Sequence, residues 1–214
     1  YNVVICTPGD KIYANYADSL VQTLSHFQKL GISYTWKCCY SPHIGDARTN
    51  ILFDMPQNMK NINKEVLQTF YKNKGRTSLF QGLFTYDQIV WIDNDVSWSI
   101  AQIMRLLNHP EEIVTGAYRL ADSKTLSHGD VSQLLSVSLY DQDLFDKKAD
   151  DTKITSLLTI ETLNTLKPNT LYPVLTCGMG FLKVRTGVME TMKPPIFGET
   201  EVKLEFIKNG KPEI

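Results

Sequence analysis

The stretch Ile89-Val90-Trp91-Ile92-Asp93-Asn94-Asp95 decides the fold that we predict for this chain of 214 residues. Residues 89–92 are continuously apolar, which is typical of a strand buried on both faces in the middle of a parallel sheet. Two carboxylates, Asp93 and Asp95, follow this run directly. Because open α/β sheets bind ligands beyond the carboxyl ends of their strands, the stretch predicts an α/β fold with a ligand site at its end.

The first half of the chain alternates between strand and helix patterns around this stretch. Apolar residues recur at helical spacing from Tyr13 to Phe27, and Gly31 follows as a helix stop. Residues 57–76 are polar and favour a partial helix or an exposed insertion. Alternating strands and helices predict a sheet with crossover connections. The predicted elements are strands over 2–7, 32–38 and 112–118, and helices over 13–30, from Asp46 through Leu52, and from an N-cap at Ser97 to Pro110.

The second half has a pattern more typical of antiparallel strands. Apolar residues alternate with serines over 135–139, which predicts a strand with one solvent-exposed face. The following elements are an acidic loop over 141–151, a strand over 170–184 interrupted by Gly178-Met179-Gly180, and a short helix over 187–192. We therefore predict one α/β domain over 1–214, with a mixed, mostly parallel central sheet and a smaller antiparallel extension in its second half.

Composition excludes some classes of function. Lys and Arg total 22 and Asp and Glu total 23, so the net charge of −1 gives no basic excess for nucleic acid. No apolar run reaches the roughly 20 residues of a membrane span, and no signal peptide is visible. The four cysteines fit neither a zinc pattern nor a disulfide framework, which favours buried, reduced thiols in a cytoplasmic protein.

Asp93 and Asp95 are the strongest chemical signal. Two carboxylates two residues apart at a strand end can bind one hard cation through oxygen. Such a cation neutralises a diphosphate and stabilises the charge that develops on a nucleoside diphosphate leaving group. The alternative interpretation is a loop turn and helix cap. A second acidic pair, Asp141 and Asp143, lies in the acidic loop, where a solvated role is favoured.

Residues 86–95 resemble the DxD strand of GT-A glycosyltransferases. Three further segments follow in that family's order. The first strand with its Cys6-Thr7-Pro8-Gly9 end is similar to the strand that meets the nucleotide base, and Ala47-Arg48-Thr49-Asn50 is similar to an Arg-Asn element, here interrupted by Thr49. Residues 176–182 are similar to the small-residue segment of the acceptor side. Gly116-Ala117-Tyr118-Arg119 resembles the acceptor-side turn. The resemblance covers most of the chain and is closest to viral members, among them chlorella-virus enzymes of capsid glycan synthesis.

The resemblance implies a Rossmann-like GT-A fold, hexosyl transfer from a UDP-sugar (UDP-glucose or UDP-rhamnose) to a glycan or glycoprotein acceptor, and Mn²⁺ or Mg²⁺ as cofactor. It implies a nucleotide-sugar-binding half over 1–119 and an acceptor-side half over 120–214, in one domain of a longer protein that acts in the host-cell cytoplasm. The expected site residues are Asp95 and Asp93 for the metal; Thr7, Pro8, Asp10, Arg48, Asn50, Asp93 and Asn94 for the donor; and Gly178, Met179, Gly180 and Tyr118 on the acceptor side.

Each of these residues also has a purely structural interpretation. Arg48, at a predicted helix start where backbone amides favour an anion, suits a phosphate or a surface ion pair. Thr7 and Asp10 suit either the uracil and ribose or an ordinary turn. Glycines inside a strand mark the close approach of another group, which is a substrate or a packed strand. Trp98 suits stacking on a sugar or packing of the following helix.

Two rival functions stay open from the sequence. A nucleotidyltransferase that makes nucleotide-sugars would carry a Gly-rich, basic phosphate loop after the first strand, whereas residues 6–11 hold one glycine. A non-catalytic carbohydrate-binding module would leave the two carboxylates at the end of a buried strand without a cation, which is costly. No catalytic base is identified, since the late acids Glu199, Glu201 and Glu205 alternate like a solvated strand face.

Overall fold

A five-stranded mixed sheet in the order β2-β1-β3-β7-β4 is the centre of the fold. The computed structural model describes residues 1–53, 79–119, 135–139, 159–168, 170–192, 197, 207–208 and 211–212. The predictions for residues 57–76, for the acidic loop over 141–151 with Asp141 and Asp143, and for Glu199, Glu201 and Glu205 lie outside the described residues, as does much of the second half.

The strands and helices follow the predicted order in the first half. The strands are β1 Asn2–Pro8, β2 Ser33–Cys39, β3 Gln88–Ile92, β4 Ile113–Thr115, β5 Val137–Leu139, β6 Val174–Cys177, β7 Phe181–Arg185, β8 Ile207–Lys208 and β9 Lys211–Pro212. The helices are α1 Ala14–Leu30, α2 Ile44–Phe53, α3 Ile100–Asn108, α4 Ile160–Thr165 and α5 Val188–Thr191, with a 3-10 turn at Leu79–Gly82.

The sheet is mixed because one strand is reversed. β1 pairs in parallel with β2 on one side and β3 on the other, whereas β7 runs antiparallel to both β3 and β4. The α/β class and the mixed sheet flanked by helices are therefore confirmed. The expected mostly parallel sheet is not confirmed, since two of the four pairings are antiparallel. The chain leaves β1 toward β2 and returns on the opposite side as β3, which creates a topological switch point between β1 and β3.

β3 is buried on both faces, as its apolar run predicts. Val90 and Ile92 pack into the cluster beneath α1 and α3, and Ile89 and Trp91 pack into the cluster on the α2 side. All four side chains are 0% exposed. Helices cover both faces of the sheet here, so the strand needs no polar face and its sequence shows no alternation.

Helix α1 begins and ends where its pattern indicates. Its buried residues include Tyr16, Leu20 and Phe27, which lie on one face of the helix. Gly31 ends it in the left-handed region at φ 68°, and its backbone N–H contacts the carbonyls of the last turn. Glycine is favoured at this position because it has no Cβ that would clash with the backbone in the left-handed conformation.

The N-cap of helix α3 lies two residues later in the chain than predicted. Ser99, not Ser97, is the N-cap: its side chain accepts from the Gln102 amide, and the Gln102 side chain accepts from the Ser99 amide at 2.7 Å. This reciprocal capping box satisfies two helix-end donors. The sequence Ser97-Trp98-Ser99 offers two serines, and only Ser99 stands three residues before a glutamine that can complete the box.

Replacement of Ser99 by alanine is expected to lower the free energy of unfolding by about 1 kcal/mol, because it removes this cap. Ser97→Ala is the matched control and should change the free energy of unfolding by less than about 0.5 kcal/mol, since Ser97 is exposed and does not cap α3. Denaturant unfolding of both variants measures the difference. Equal effects of the two substitutions would contradict the assignment of the cap.

Three strand predictions differ from the structure. Ser136 and Ser138 are 4% and 1% exposed, so β5 has no solvent-exposed face. The run over 170–184 forms two strands in different sheets: β6 pairs with β5 as a small antiparallel extension, and β7 joins the central sheet. The strand predicted over 112–118 is shorter, because only Ile113–Thr115 pairs with β7.

The four cysteines are all free thiols. Cys6 and Cys39 are buried, as expected, whereas Cys177 is only half-buried. Burial raises the pKa of the Cys6 thiol well above its usual range. Cys38 is exposed near the end of the edge strand β2, and this corrects the expectation that all four are buried. Within the described part of the chain, no helix is long and apolar enough to cross a membrane.

Candidate functional site

The switch point places the carboxyl ends of β1 and β3 side by side. Thr7 and Pro8 end β1, and Asp93-Asn94-Asp95 follows β3. The two segments are in contact, since Asn94 Nδ2 donates to the Lys11 carbonyl at 2.5 Å. In open α/β sheets this crevice is where ligands bind. The carboxylates therefore lie at the edge that the sequence predicts.

Asp93 is held by three contacts and is half-buried. Its backbone amide donates to the Gly180 carbonyl at 3.1 Å, and its own carbonyl accepts from Val96 at 3.1 Å in a turn. Its carboxylate Oδ1 accepts from Arg48 Nη2 at 3.2 Å. Burial raises the pKa of Asp93, Arg48 opposes the rise, and Asp95 adds to it. The turn exists, but the cap of α3 is Ser99, so the helix-cap interpretation of Asp93 and Asp95 is wrong.

Asp95 differs from Asp93 in being exposed and unpaired. It lies in the turn after β3, and no hydrogen bond or ion pair joins it to another residue that the structure describes. Its negative charge is one cause of the raised pKa of Asp93. The site therefore combines one anchored and one free carboxylate, close enough to influence each other.

Arg48 is directed at the carboxylates from α2. It is the fifth residue of that helix, so it does not lie at the helix start that the sequence predicts. Its side chain is 15% exposed and pairs with Asp93, so the predicted alternative of a surface ion pair does not describe it. Its Nε is buried without a hydrogen-bond partner in the described structure. A buried N–H without an acceptor destabilises the folded protein, and an anionic ligand can supply the missing hydrogen-bond acceptor.

Asn50 does not join the carboxylates. It lies in the same helix as Arg48, but its side chain hydrogen-bonds to the Cys39 thiol at the end of β2. Burial raises the pKa of Cys39, and the Asn50 contact opposes that rise. Arg48 and Asn50 are two positions apart in the helix, a rotation of roughly 200°, so their side chains are directed to different strands, and Asn50 lies beside β2.

Thr7 belongs to the interior rather than to the open edge. It is 0% exposed, its hydroxyl hydrogen-bonds to the Tyr16 hydroxyl, and it accepts from Trp36 Nε1 at 3.0 Å. Pro8 is also buried, whereas Asp10 is exposed in the loop that follows β1. Of these three residues, which the sequence predicts to bind the sugar donor, only Asp10 has a solvent-exposed side chain.

Trp36 is a residue of this edge that the sequence pattern does not identify. The alternation of β2 suggests an inward side chain, but its ring is 39% exposed because β2 is the outermost strand of the central sheet. Its indole N–H is fixed by Thr7, near the end of β1. A tethered, partly exposed aromatic ring beside this crevice is a surface on which a planar ligand ring can stack.

Gly9 lets the loop after β1 approach the acidic turn. Its φ is +149°, and a Cβ there would lie 2.6 Å from Asn94 Cγ. Its amide donates to the Cys39 carbonyl at 3.0 Å. Asn94, expected to bind the donor, therefore uses its amide to hold this loop through Lys11, and it acts on the crevice by positioning the loop.

The glycines of the 178–180 turn are explained by Tyr118. A Cβ on Gly180 would lie 2.6 Å from the Tyr118 hydroxyl oxygen and 2.9 Å from Asp93 Oδ2, and a Cβ on Gly178 would also overlap that hydroxyl. The group that approaches these glycines closely is thus the Tyr118 side chain. The sequence pattern predicts either a substrate or a packed strand. Met179 packs on the cluster on the α2 side.

Tyr118, which the sequence predicts for the acceptor side, is linked to Asp93 through Gly180. Its hydroxyl accepts from the Gly180 amide at 2.9 Å, and the Gly180 carbonyl in turn accepts from Asp93. Burial is the main cause that raises the pKa of Tyr118, and the nearby Asp93 adds to it. A neutral phenol thus borders the carboxylates. The carbonyl of Ser136 pairs with the Gly178 amide at 2.6 Å, which fixes the turn.

Of the two interpretations of Trp98, stacking on a sugar and packing of the following helix, the structure fits packing. It is 7% exposed, and its ring meets Tyr16 edge-on at 5.0 Å between centroids. Its indole donates to Thr23 at 2.8 Å. The ring is enclosed between α1 and the sheet, so it is not available for stacking on a sugar.

The donor atoms of the site fit Mn²⁺ or Mg²⁺. Asp93 and Asp95 offer only oxygen ligands, which hard divalent cations prefer. The raised pKa of Asp93 marks a carboxylate that burial leaves undercompensated, and added positive charge would relieve it. In the part of the chain that the structure describes, no group of three or more His, Cys, Asp and Glu side chains converges. One or two carboxylates completed by substrate phosphates and water is the usual arrangement for Mg²⁺.

No protein-family model matches the chain, and no curated protein or solved structure matches it significantly.

Proposed function

We propose that this protein is a divalent-metal-dependent glycosyltransferase that takes a hexosyl group from a UDP-sugar. One observation carries the proposal: Arg48 pairs with Asp93, and the exposed Asp95 lies two residues further on, at the switch point between β1 and β3. Carboxylates for a cation and a guanidinium with a free donor for a phosphate are together the groups that a nucleotide diphosphate requires.

The chain's own residues supply binding and orientation. Arg48 offers its unpaired Nε to a phosphate oxygen, and Asp93 and Asp95 offer oxygens to Mn²⁺ or Mg²⁺. When bound, the cation supplies positive charge that stabilises the departing nucleoside diphosphate. Asn94 and Gly9 hold the loop after β1 against the crevice, where the nucleoside lies. Preorganised groups of this kind lower the barrier because they need not rearrange during transfer.

The acceptor enters beside Tyr118 and the 178–180 turn. That wall borders Asp93 on the side away from β1, so it is next to the place where the sugar is released. The sheet order, with one reversed strand between β3 and β4, supports a GT-A architecture. The sequence resemblance to viral enzymes supports glucose or rhamnose as the sugar, and a glycan of a viral capsid glycoprotein as the acceptor.

The test is calorimetric titration of the protein with UDP, UDP-glucose and UDP-rhamnose, each with Mn²⁺ and with a chelator. We expect binding that is lost when the metal is removed, because the two carboxylates repel a bare diphosphate. Radiolabelled sugar transfer to water or to an added glycan then reports activity with the donor that binds most tightly. Chelator should abolish that transfer, and added Mn²⁺ should restore it.

The same titration separates the rivals. Tight binding of a nucleoside triphosphate with a sugar phosphate, and none of UDP-sugars, would replace the proposal with a nucleotidyltransferase. Binding of a glycan without metal or nucleotide would replace it with a carbohydrate-binding module. A folded protein that binds no uridine nucleotide under any of these conditions would overturn the proposal.

A further inference from the structure

Arg48 and Asp93 neutralise each other at the centre of the crevice. Arg48 Nη2 lies 3.2 Å from Asp93 Oδ1, and the side chains are 15% and 28% exposed. A largely buried ion pair is screened less by water and salt than a surface pair. Each charge therefore already has a partner of opposite sign, and a ligand that takes one of them leaves the other without its partner.

That arrangement penalises each ligand when it binds alone. A cation that binds Asp93 competes with the guanidinium and places a second positive charge beside it. An anion that binds Arg48 draws the guanidinium away from Asp93, whose carboxylate then stays desolvated and unpaired. Removing one partner of a buried pair is strongly unfavourable, since it leaves an uncompensated charge.

A cation and a diphosphate that bind together avoid both penalties. Arg48 has a buried Nε with no hydrogen-bond partner among the described residues, so it has a donor ready for an anion. Asp93 Oδ2 faces Gly180, whereas Arg48 contacts Oδ1. Asp95, two residues further on, is exposed and has no hydrogen bond or ion pair with another described residue. The ion pair can exchange partners in one step: the guanidinium moves to the phosphate, and the carboxylates move to the cation.

We propose that the Arg48–Asp93 ion pair is a latch that makes cation binding conditional on a diphosphate. The inference rests on the proposed function for the role of this crevice, but it concerns only how the site loads. Coupling of this kind is reciprocal, so the diphosphate must tighten Mn²⁺ binding by the same factor by which Mn²⁺ tightens diphosphate binding. Sites coupled in this way change affinity by roughly 5- to 150-fold.

The experiment titrates Mn²⁺ alone, inorganic pyrophosphate alone, and each in the presence of the other, by calorimetry. The variants are Arg48→Gln, which frees the carboxylate, and Asp93→Asn, which frees the guanidinium. Arg105→Gln removes the same charge from an exposed position on α3 and is the matched control. Thermal unfolding of each variant reports whether the fold is kept.

We expect weak Mn²⁺ binding by the unaltered protein and tighter binding once pyrophosphate is present. Arg48→Gln should bind Mn²⁺ alone more tightly than the unaltered protein and should lose the coupling. Asp93→Asn should bind pyrophosphate alone more tightly, and Arg105→Gln should change nothing. If Arg48→Gln does not fold, Arg48→Lys, which keeps the charge, and the Asp93→Asn arm decide the question.

Two results would overturn the latch: Mn²⁺ binding by the unaltered protein that pyrophosphate does not tighten, or an Arg48→Gln variant whose affinity for Mn²⁺ alone is unchanged or weaker. Failure of the proposed function has a different signature. In that case Mn²⁺ and pyrophosphate remain coupled through Arg48 and Asp93, but no UDP-sugar binds.

Discussion

Replacing Asp95 with alanine is expected to reduce sugar transfer by at least about 100- to 1000-fold, the range found when one preorganised electrostatic group is removed from an active site. The reason is its position in the turn after β3, where it is exposed and unpaired among the described residues. Nothing in the described fold uses its carboxylate. The free energy of unfolding should therefore change by less than about 0.5 kcal/mol.

The measurements are steady-state transfer, calorimetric UDP binding with Mn²⁺, and denaturant unfolding. Asp18→Ala is the matched control, because Asp18 is an exposed aspartate on α1 whose carboxylate accepts a hydrogen bond from Gln22 of the same helix. Asp95→Asn, which keeps the shape but not the charge, should resemble Asp95→Ala in activity. Full activity of Asp95→Ala would remove the metal-binding role of this turn and the proposal that depends on it.

The second large effect is expected from Gly180→Ala. The new Cβ would overlap the Tyr118 hydroxyl at 2.6 Å and press on Asp93 Oδ2 at 2.9 Å. Overpacking of this kind costs about 1–3 kcal/mol of unfolding free energy. Because the displaced atom belongs to the carboxylate of the site, Mn²⁺-dependent UDP binding should also weaken strongly, by an amount that the loss of stability alone does not explain.

The double variant Gly180→Ala with Tyr118→Ala tests this cause. Removing the tyrosine ring gives the new methyl group space, so part of the lost stability should return and the two substitutions should be non-additive. Tyr118→Ala alone is the control for loss of the ring. If the effects of Gly180→Ala and Tyr118→Ala simply add, Tyr118 is not the group that requires glycine at position 180.

Tertiary context explains why several site residues differ from their sequence interpretation. Thr7 lies near the end of β1 and Asp10 three residues later in the loop that follows, yet Thr7 points to Tyr16 inside the fold and Asp10 lies in solvent. The strand direction at β1 decides this, and a turn motif does not reveal it. In the same way, Arg48 and Asn50 share a helix but face different strands, and only Arg48 reaches Asp93.

Long-range contacts explain the glycines and the acidic turn. Gly180 and Tyr118 are 62 positions apart in the chain, and Arg48 and Asp93 are 45 apart. No periodicity links such pairs. A glycine within a strand pattern indicates a close approach, but the sequence does not say which group approaches.

Local sequence patterns were sufficient to predict a strand that is buried on both faces and a helix that is buried on one face. The apolar run of β3, the helical spacing of α1 and the stop at Gly31 depend on residues near one another, and the structure contains all three. The position of Asp93 and Asp95 at a strand end follows from the same run. The reversal of β7, the burial of Ser136 and the meeting of Arg48, Tyr118 and Asp93 depend instead on which strands become neighbours. Strand order is set by the packing energy of the whole sheet, so only the assembled fold decides which side chains share the crevice.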